Sequence, residues 1–258
     1  SSSLPRRAGA ALALLLSFGC EGNIGEAVDP GTLRPVNAPV DPLNNPSACG
    51  ADDLDVEAGR WRRLTAEQYQ NALRDVLGIE ADVSGFLPDT IWDESPFPSN
   101  AGVNIQGQEV TNYWTSAGRI ADSLDVGALL GCDAADVTCV NAFIEERGRL
   151  LYRRSLSAEE QSSLQNIYAL GAEISPEDGV RAIVRVMVQS PHFLYVQEYG
   201  YEGDARESGE ENSNVYDLNG NEIATRLALL LWNSVPDAAL LDAAEAGELD
   251  DAMGVERW

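Results

Sequence analysis

His192 is the sole histidine in the 258 residues. It could act as a general base or as an axial ligand. Any Ser-His-Asp nucleophile system would have to use it. No G-x-S-x-G elbow accompanies it. It stands between Pro191 and Phe193 at a helix end, where a histidine most often meets a local backbone carbonyl. The reading for His192 is therefore structural rather than catalytic. Cys132 and Cys139 flank a six-residue loop and read as a local disulfide in an exported protein. Closing so short a loop stabilises by only about 2–3 kcal/mol. Cys49 is then left to pair elsewhere or to remain a free thiol. The three cysteines lack the paired C-x-x-C spacing of a metal site. Trp92 and Phe97 lie in a Pro-rich aromatic segment, residues 82–107. They are read either as core plugs or as a sugar-binding surface. Carboxylate pairs could hydrolyse glycosides, but among forty-two acids no pair stands out. The run from Asp217 to Glu222 superficially resembles a calcium loop. It lacks the Gly at its sixth position and the Glu at its twelfth. No catalytic, cofactor or metal set is assigned.

Composition removes other chemistries. All seventeen bases are Arg, so a Schiff-base or general-base Lys is impossible. A zinc site with two or three His is equally impossible. No C-x-x-C-H run exists to attach a c-type haem. The formal charge of −25 argues against nucleic-acid binding, which needs a basic surface. The surplus acid suits a solvated surface, cations or a basic partner.

The elements around these residues read as a tethered helical body. Arg6 and Arg7 precede an apolar run that ends at Gly19-Cys20. Residues 1–20 therefore read as a signal peptide of lipoprotein type, with Cys20 as the lipidated residue. Residues 21–57, rich in Pro and acid, read as a disordered tether. The body is expected to be all-α, an irregular multi-helix bundle in two to three successive units. The first covers 58–127, and the second, with the cysteine loop, covers 128–200. An acidic linker follows at 201–215, then the start of a third unit at 216–258, which reads as truncated.

Capping grammar supports the helices. Thr65 with Gln68, Ser157 with Glu160 and Asn219 with Glu222 fit capping boxes. Ser175-Pro176-Glu177-Asp178 and Pro236-Asp237 are further starts. Tyr69, Ala72, Leu73, Val76 and Leu77 recur at helical spacing, and Gly78 supplies the stop. Val110, Tyr113, Trp114, Ala117, Ile120 and Ala121 form a second stripe. Val180, Ile183, Val184, Met187 and Val188 form another, and the run from Ser190 to Tyr195 closes that helix. Ile223, Leu227, Leu230 and Leu231 form the last.

Four stretches taken in order carry a resemblance. They are Arg62-Arg63-Leu64-Thr65 with Tyr69, Asn71, Arg74, Asp75, Leu77 and Gly78; Arg149 with Tyr152-Arg153-Arg154-Ser155-Leu156; the run from Ser190 to Tyr195 with Glu198; and Leu227 to Trp232 with Pro236-Asp237 and Leu240-Leu241. Together they resemble helical domains of unknown function in large exported proteins of planctomycetes and myxobacteria. Gln68, Arg147 and Ser155 depart from the usual Glu, aromatic and Pro. In that family such domains can accompany planctomycete-type cytochrome c domains. The resemblance implies no catalytic residues. It implies haem only elsewhere in a longer protein. The expectation is a non-catalytic binding or scaffold module, anchored to a membrane by lipid and serving a protein or redox partner. Its address would be the periplasm or outer membrane of a Gram-negative bacterium. The alternative is an extracytoplasmic protein that binds or hydrolyses polysaccharide.

Overall fold

The computed structural model describes residues 61–83, 85, 86, 89, 100, 101, 107–200 and 218–258. The signal with Cys20, the tether with Cys49, the aromatics Trp92 and Phe97, and the linker 201–215 lie outside the described residues.

Side chains that satisfy the first free N–H groups set most helix starts. Helix α1 (Ala66–Leu77) opens on the Thr65–Gln68 capping box and ends at Gly78, whose φ of 69° needs no Cβ. Helices α2 (Gly107–Asp122), α3 (Val126–Leu130) and α4 (Val137–Tyr152) follow, with Asp125 and Asp136 capping the last two. Helix α5 (Ala158–Ala172) carries the Ser157–Glu160 box, and α6 (Pro176–Met187) starts at Ser175 with Pro at its first turn. Helix α7 (Pro191–Leu194) is one turn long. Helices α8 (Gly220–Leu231), α9 (Ala238–Glu245) and α10 (Ala252–Arg257) end the chain, capped by Asn219, Asp237 and Asp251.

The all-α expectation holds, with one small addition. Strands β1 (Arg62–Arg63), β2 (Asn100–Ala101) and β3 (Tyr195–Val196) form an antiparallel sheet in the order β2-β1-β3. Arg63 faces Asn100 on one side and Tyr195 on the other. Strands of two residues carry no readable alternation, so periodicity could not announce them. The run from Ser190 to Tyr195 does not close α6. It forms α7 and enters β3.

The main core joins α1, α2, α4, α6 and α7. Leu73, Ile144, Leu151, Ile183, Met187 and Phe193 are fully buried there. Phe86 packs on this core 5.0 Å from the Tyr69 ring and 4.4 Å from Tyr113. A smaller cluster joins α8 to α9 through Ala224, Ala228, Leu240, Leu241, Ala244 and Leu249.

Two stripes depart from expectation. Of the α2 stripe, Tyr113, Ala117, Ile120 and Ala121 are buried, but Val110 and Trp114 are 56% and 55% exposed, and Ser116 takes a buried place. Arg185 of α6 lies 4.2 Å over the outward Trp114 ring. Leu230 and Leu231 are likewise exposed, while α8 buries Ala224, Thr225, Ala228 and Leu229. In α8 the large apolar residues fall on several sides, so its phase is hidden in the sequence, and its small residues permit the closer approach. Close approach also decides the α5–α6 packing. A Cβ on Gly171 would lie 2.7 Å from Gly179 Cα, and one on Gly179 would strike the Tyr168 ring.

Candidate functional site

Helix α4 ends at Arg153, whose φ of 59° is unusual for a residue with a Cβ. That turn sends its guanidinium inward, where Arg153 is 5% exposed. Ser190 and Pro191 start α7 so that its carbonyls converge on the same point. Arg153 donates to the carbonyls of Leu151 (3.1 Å), Phe193 (3.0 Å), His192 (2.8 Å) and Tyr195 (2.7 Å). Burial, with repulsion from Arg154 and Arg62, pushes this guanidinium down to about 10.

His192 sits beside this knot. Its Nε2 lies 3.3 Å from Glu160 Oε1, and its Nδ1 lies 3.5 Å from an Arg154 nitrogen. One neutral tautomer satisfies both contacts, donating to the carboxylate and accepting from the guanidinium. Arg154 grips Glu160 with two bonds of 2.8 Å. Glu160 also accepts from the Ser157 amide. The Arg154 bonds hold the Glu160 carboxyl below the usual range, and Glu160 in turn raises Arg154. The Tyr152 ring tilts against His192 at 5.4 Å. Burial pushes the Tyr152 phenol up, opposed by its bond to Ser190.

A histidine oriented by a carboxylate is the arrangement of a general base. Here the second ring nitrogen faces a guanidinium instead of a hydroxyl or thiol to be activated. The local-carbonyl expectation is corrected too, because the side chain spans to α5.

A cavity of about 120 Å³ opens between these groups and the start of α8. Tyr195 and Tyr199 line it, with Asn221, Glu222 and Thr225 opposite. Glu222 is buried and accepts from the amides of Tyr199, Gly200 and Asn219. It therefore caps α8 and fixes the chain leaving β3 at once.

The other motif residues tie elements together. Arg149 of α4 pairs with Asp242 (2.7 Å) and Glu245 (3.1 Å) of α9. Arg226 of α8 grips Glu198 with bonds of 2.7 and 2.8 Å, which raises the arginine and lowers the carboxylate. Asn71 donates to the Asn233 carbonyl, and Ser234 to Asp75 at 2.6 Å. Sequence reasoning did not single out Glu109. It is fully buried on α2 and pairs with Arg63, which also donates to Tyr113 Oη at 3.3 Å. An acid in a helix's first turn reads as surface dipole chemistry, so only the structure reveals it.

Cys132 and Cys139 form the expected disulfide, with Cα atoms 6.5 Å apart. Among the described residues, no group of three His, Cys, Asp or Glu side chains is placed to hold a metal ion. No described helix is long and apolar enough to cross a membrane.

Three family models match the chain in succession. Residues 62–126 match PSD3, a protein of unknown function (DUF1587). Residues 139–198 match PSD5, a protein of unknown function (DUF1595). Residues 218–257 match PSD4, a protein of unknown function (DUF1592). No curated protein and no solved structure matches.

Proposed function

We propose that this succession of three domains of unknown function is a non-catalytic helical binding and scaffold module. It belongs to an exported protein anchored by lipid at Cys20, at the periplasmic side of a Gram-negative envelope. Its partner is a protein, and in a longer polypeptide it serves electron transfer through haem carried by cytochrome domains elsewhere. One observation carries the reading. The groups that could do chemistry are engaged by one another, His192 by Glu160 and Arg154, and Arg153 by four backbone carbonyls. Such a network fixes elements in place, and among the described residues it holds His192 against a guanidinium and not against a nucleophile.

The test is His192→Ala in the full chain. The expected result is a lower Tm with partner binding unchanged in a pull-down from the native membrane fraction. Turnover of a glycan or ester substrate that His192→Ala abolishes at unchanged Tm would overturn the reading. The haem clause has its own measurement, the visible spectrum of the protein purified from that membrane. A Soret band is expected, and a featureless spectrum removes the cytochrome link.

A further inference from the structure

We propose that the seam between α2 and α6, at Arg185 and Trp114, is a docking surface for a partner protein that presents a carboxylate beside an apolar side chain. This deepens the binding-module reading and rests on it for there being a protein partner. With forty-two acids to seventeen arginines, an arginine here finds a partner easily. Arg154 and Arg226 grip Glu160 and Glu198, Arg149 pairs with Asp242 and Glu245, and Arg153 takes carbonyl oxygens. Arg181, one turn before Arg185 on α6, is held by Asp178 at 3.3 Å. Arg185 is different. Among the described residues, no carboxylate or carbonyl accepts a hydrogen bond from it. Its guanidinium carbon lies instead 4.2 Å over the Trp114 ring.

That stacking decides which part of Arg185 is left to offer. The indole covers one face of the guanidinium. Nε is buried and unpartnered, so a ligand cannot reach it. Arg185 as a whole is half-buried, and its terminal nitrogens are not closed off with Nε. Gly118 of α2 keeps one of them clear, since a Cβ there would stand in contact, 3.5 Å from Nη2. Two terminal nitrogens in one plane match the two oxygens of a carboxylate. The stack orders the guanidinium beforehand, so less rotamer freedom is lost on binding. The rest of the surface is apolar. Val110 and Trp114, four residues apart on one face of α2, are both more than half exposed. A bare anion gains nothing from them, whereas an apolar side chain next to the carboxylate is withdrawn from water against them. Arginine and tryptophan are also the types that dominate binding energy at protein interfaces. The net charge of −25 selects among anions. A phosphate-rich polymer or an anionic membrane is repelled as a whole, while one carboxylate in an apolar segment brings a single charge.

The experiment is a titration of the full chain with the peptide acetyl-Ala-Leu-Glu-Leu-Ala-amide. It is followed by NMR at the Trp114 indole N–H, whose signal is identified by its loss in Trp114→Phe. The acidic peptide is expected to shift that signal. The same peptide with Gln in place of Glu, and inorganic phosphate, are expected to leave it in place. Arg185→Gln should weaken binding roughly tenfold or more, the worth of a hydrogen bond to a charged group, with the other indole signals kept and Tm little changed. Arg185→Lys, which keeps the charge and loses the fork, should weaken it less. The proposal is overturned if the acidic peptide leaves the Trp114 signal in place, if the Gln peptide or phosphate shifts it as far, or if Arg185→Gln binds as tightly as the unaltered chain. Retention of the partner by Arg185→Gln in the pull-down from the native membrane fraction would overturn the surface and leave the module reading standing. Peptide binding at Trp114 with no protein captured by the unaltered chain would do the reverse.

Discussion

Arg63 and Arg153 are both buried arginines beside the small sheet, yet the protein satisfies them in opposite ways. Arg63 meets a carboxylate, Glu109, and both side chains are almost wholly withdrawn from water. Arg153 meets four carbonyl oxygens, three of them from α7 and β3. The first is a pair of side chains, and the pair can be removed together. The second is a cation committed to the backbone, and its partners remain whatever is done to the side chain. A buried ion pair fixes which helix faces which strand. A guanidinium among carbonyls instead fixes the path of the chain itself.

The largest effect should come from splitting the pair. Glu109→Ala leaves Arg63 charged and buried and is expected to cost about 3–5 kcal/mol in urea unfolding. Replacing both partners, as Arg63→Met with Glu109→Leu, should recover most of that loss. If the double variant is as unstable as the single one, the pair is more than a pair. Arg153→Met should cost about 2–4 kcal/mol by stranding several carbonyls. Arg153→Lys should rescue little, because an ammonium cannot span a fork of acceptors. Full rescue by Lys would erase the distinction between the two arginines.

The smallest effect is a pH dependence. Folded Glu160 and Glu198 are held below the ordinary carboxylate range by Arg154 and Arg226. Their stabilisation is complete above the unfolded value of about 4.5 and fades as pH falls through the lower folded values. Thermal melts should therefore lose stability steeply below about pH 4.5. Glu160→Gln with Glu198→Gln should flatten that limb, and an unchanged slope would assign acid sensitivity to other carboxylates.

Much of this was legible beforehand, and the rest was hidden for physical reasons. The capping boxes at Thr65, Ser157 and Asn219 were readable because a cap is a local bond between residues three apart. The Cys132–Cys139 bridge was readable because its loop is short. The His192–Glu160 contact was not, since nothing in a sequence reports which helix will face another. The phase of α8 was hidden by leucines on too many sides. Glu109 was hidden by its type, because an isolated acid is read as surface until a buried arginine is found beside it.

The close approach of α5 to α6 bears on how the chain assembles in time. Gly171 and Gly179 are eight residues apart, whereas the Ser234–Asp75 bond spans 159. In a flexible chain, closing the longer loop costs roughly 2.7 kcal/mol more in entropy. The hairpin therefore carries the lightest search cost of these two contacts. Its backbones can meet while the polypeptide is still emerging from the ribosome, before α8 and α9 have been made.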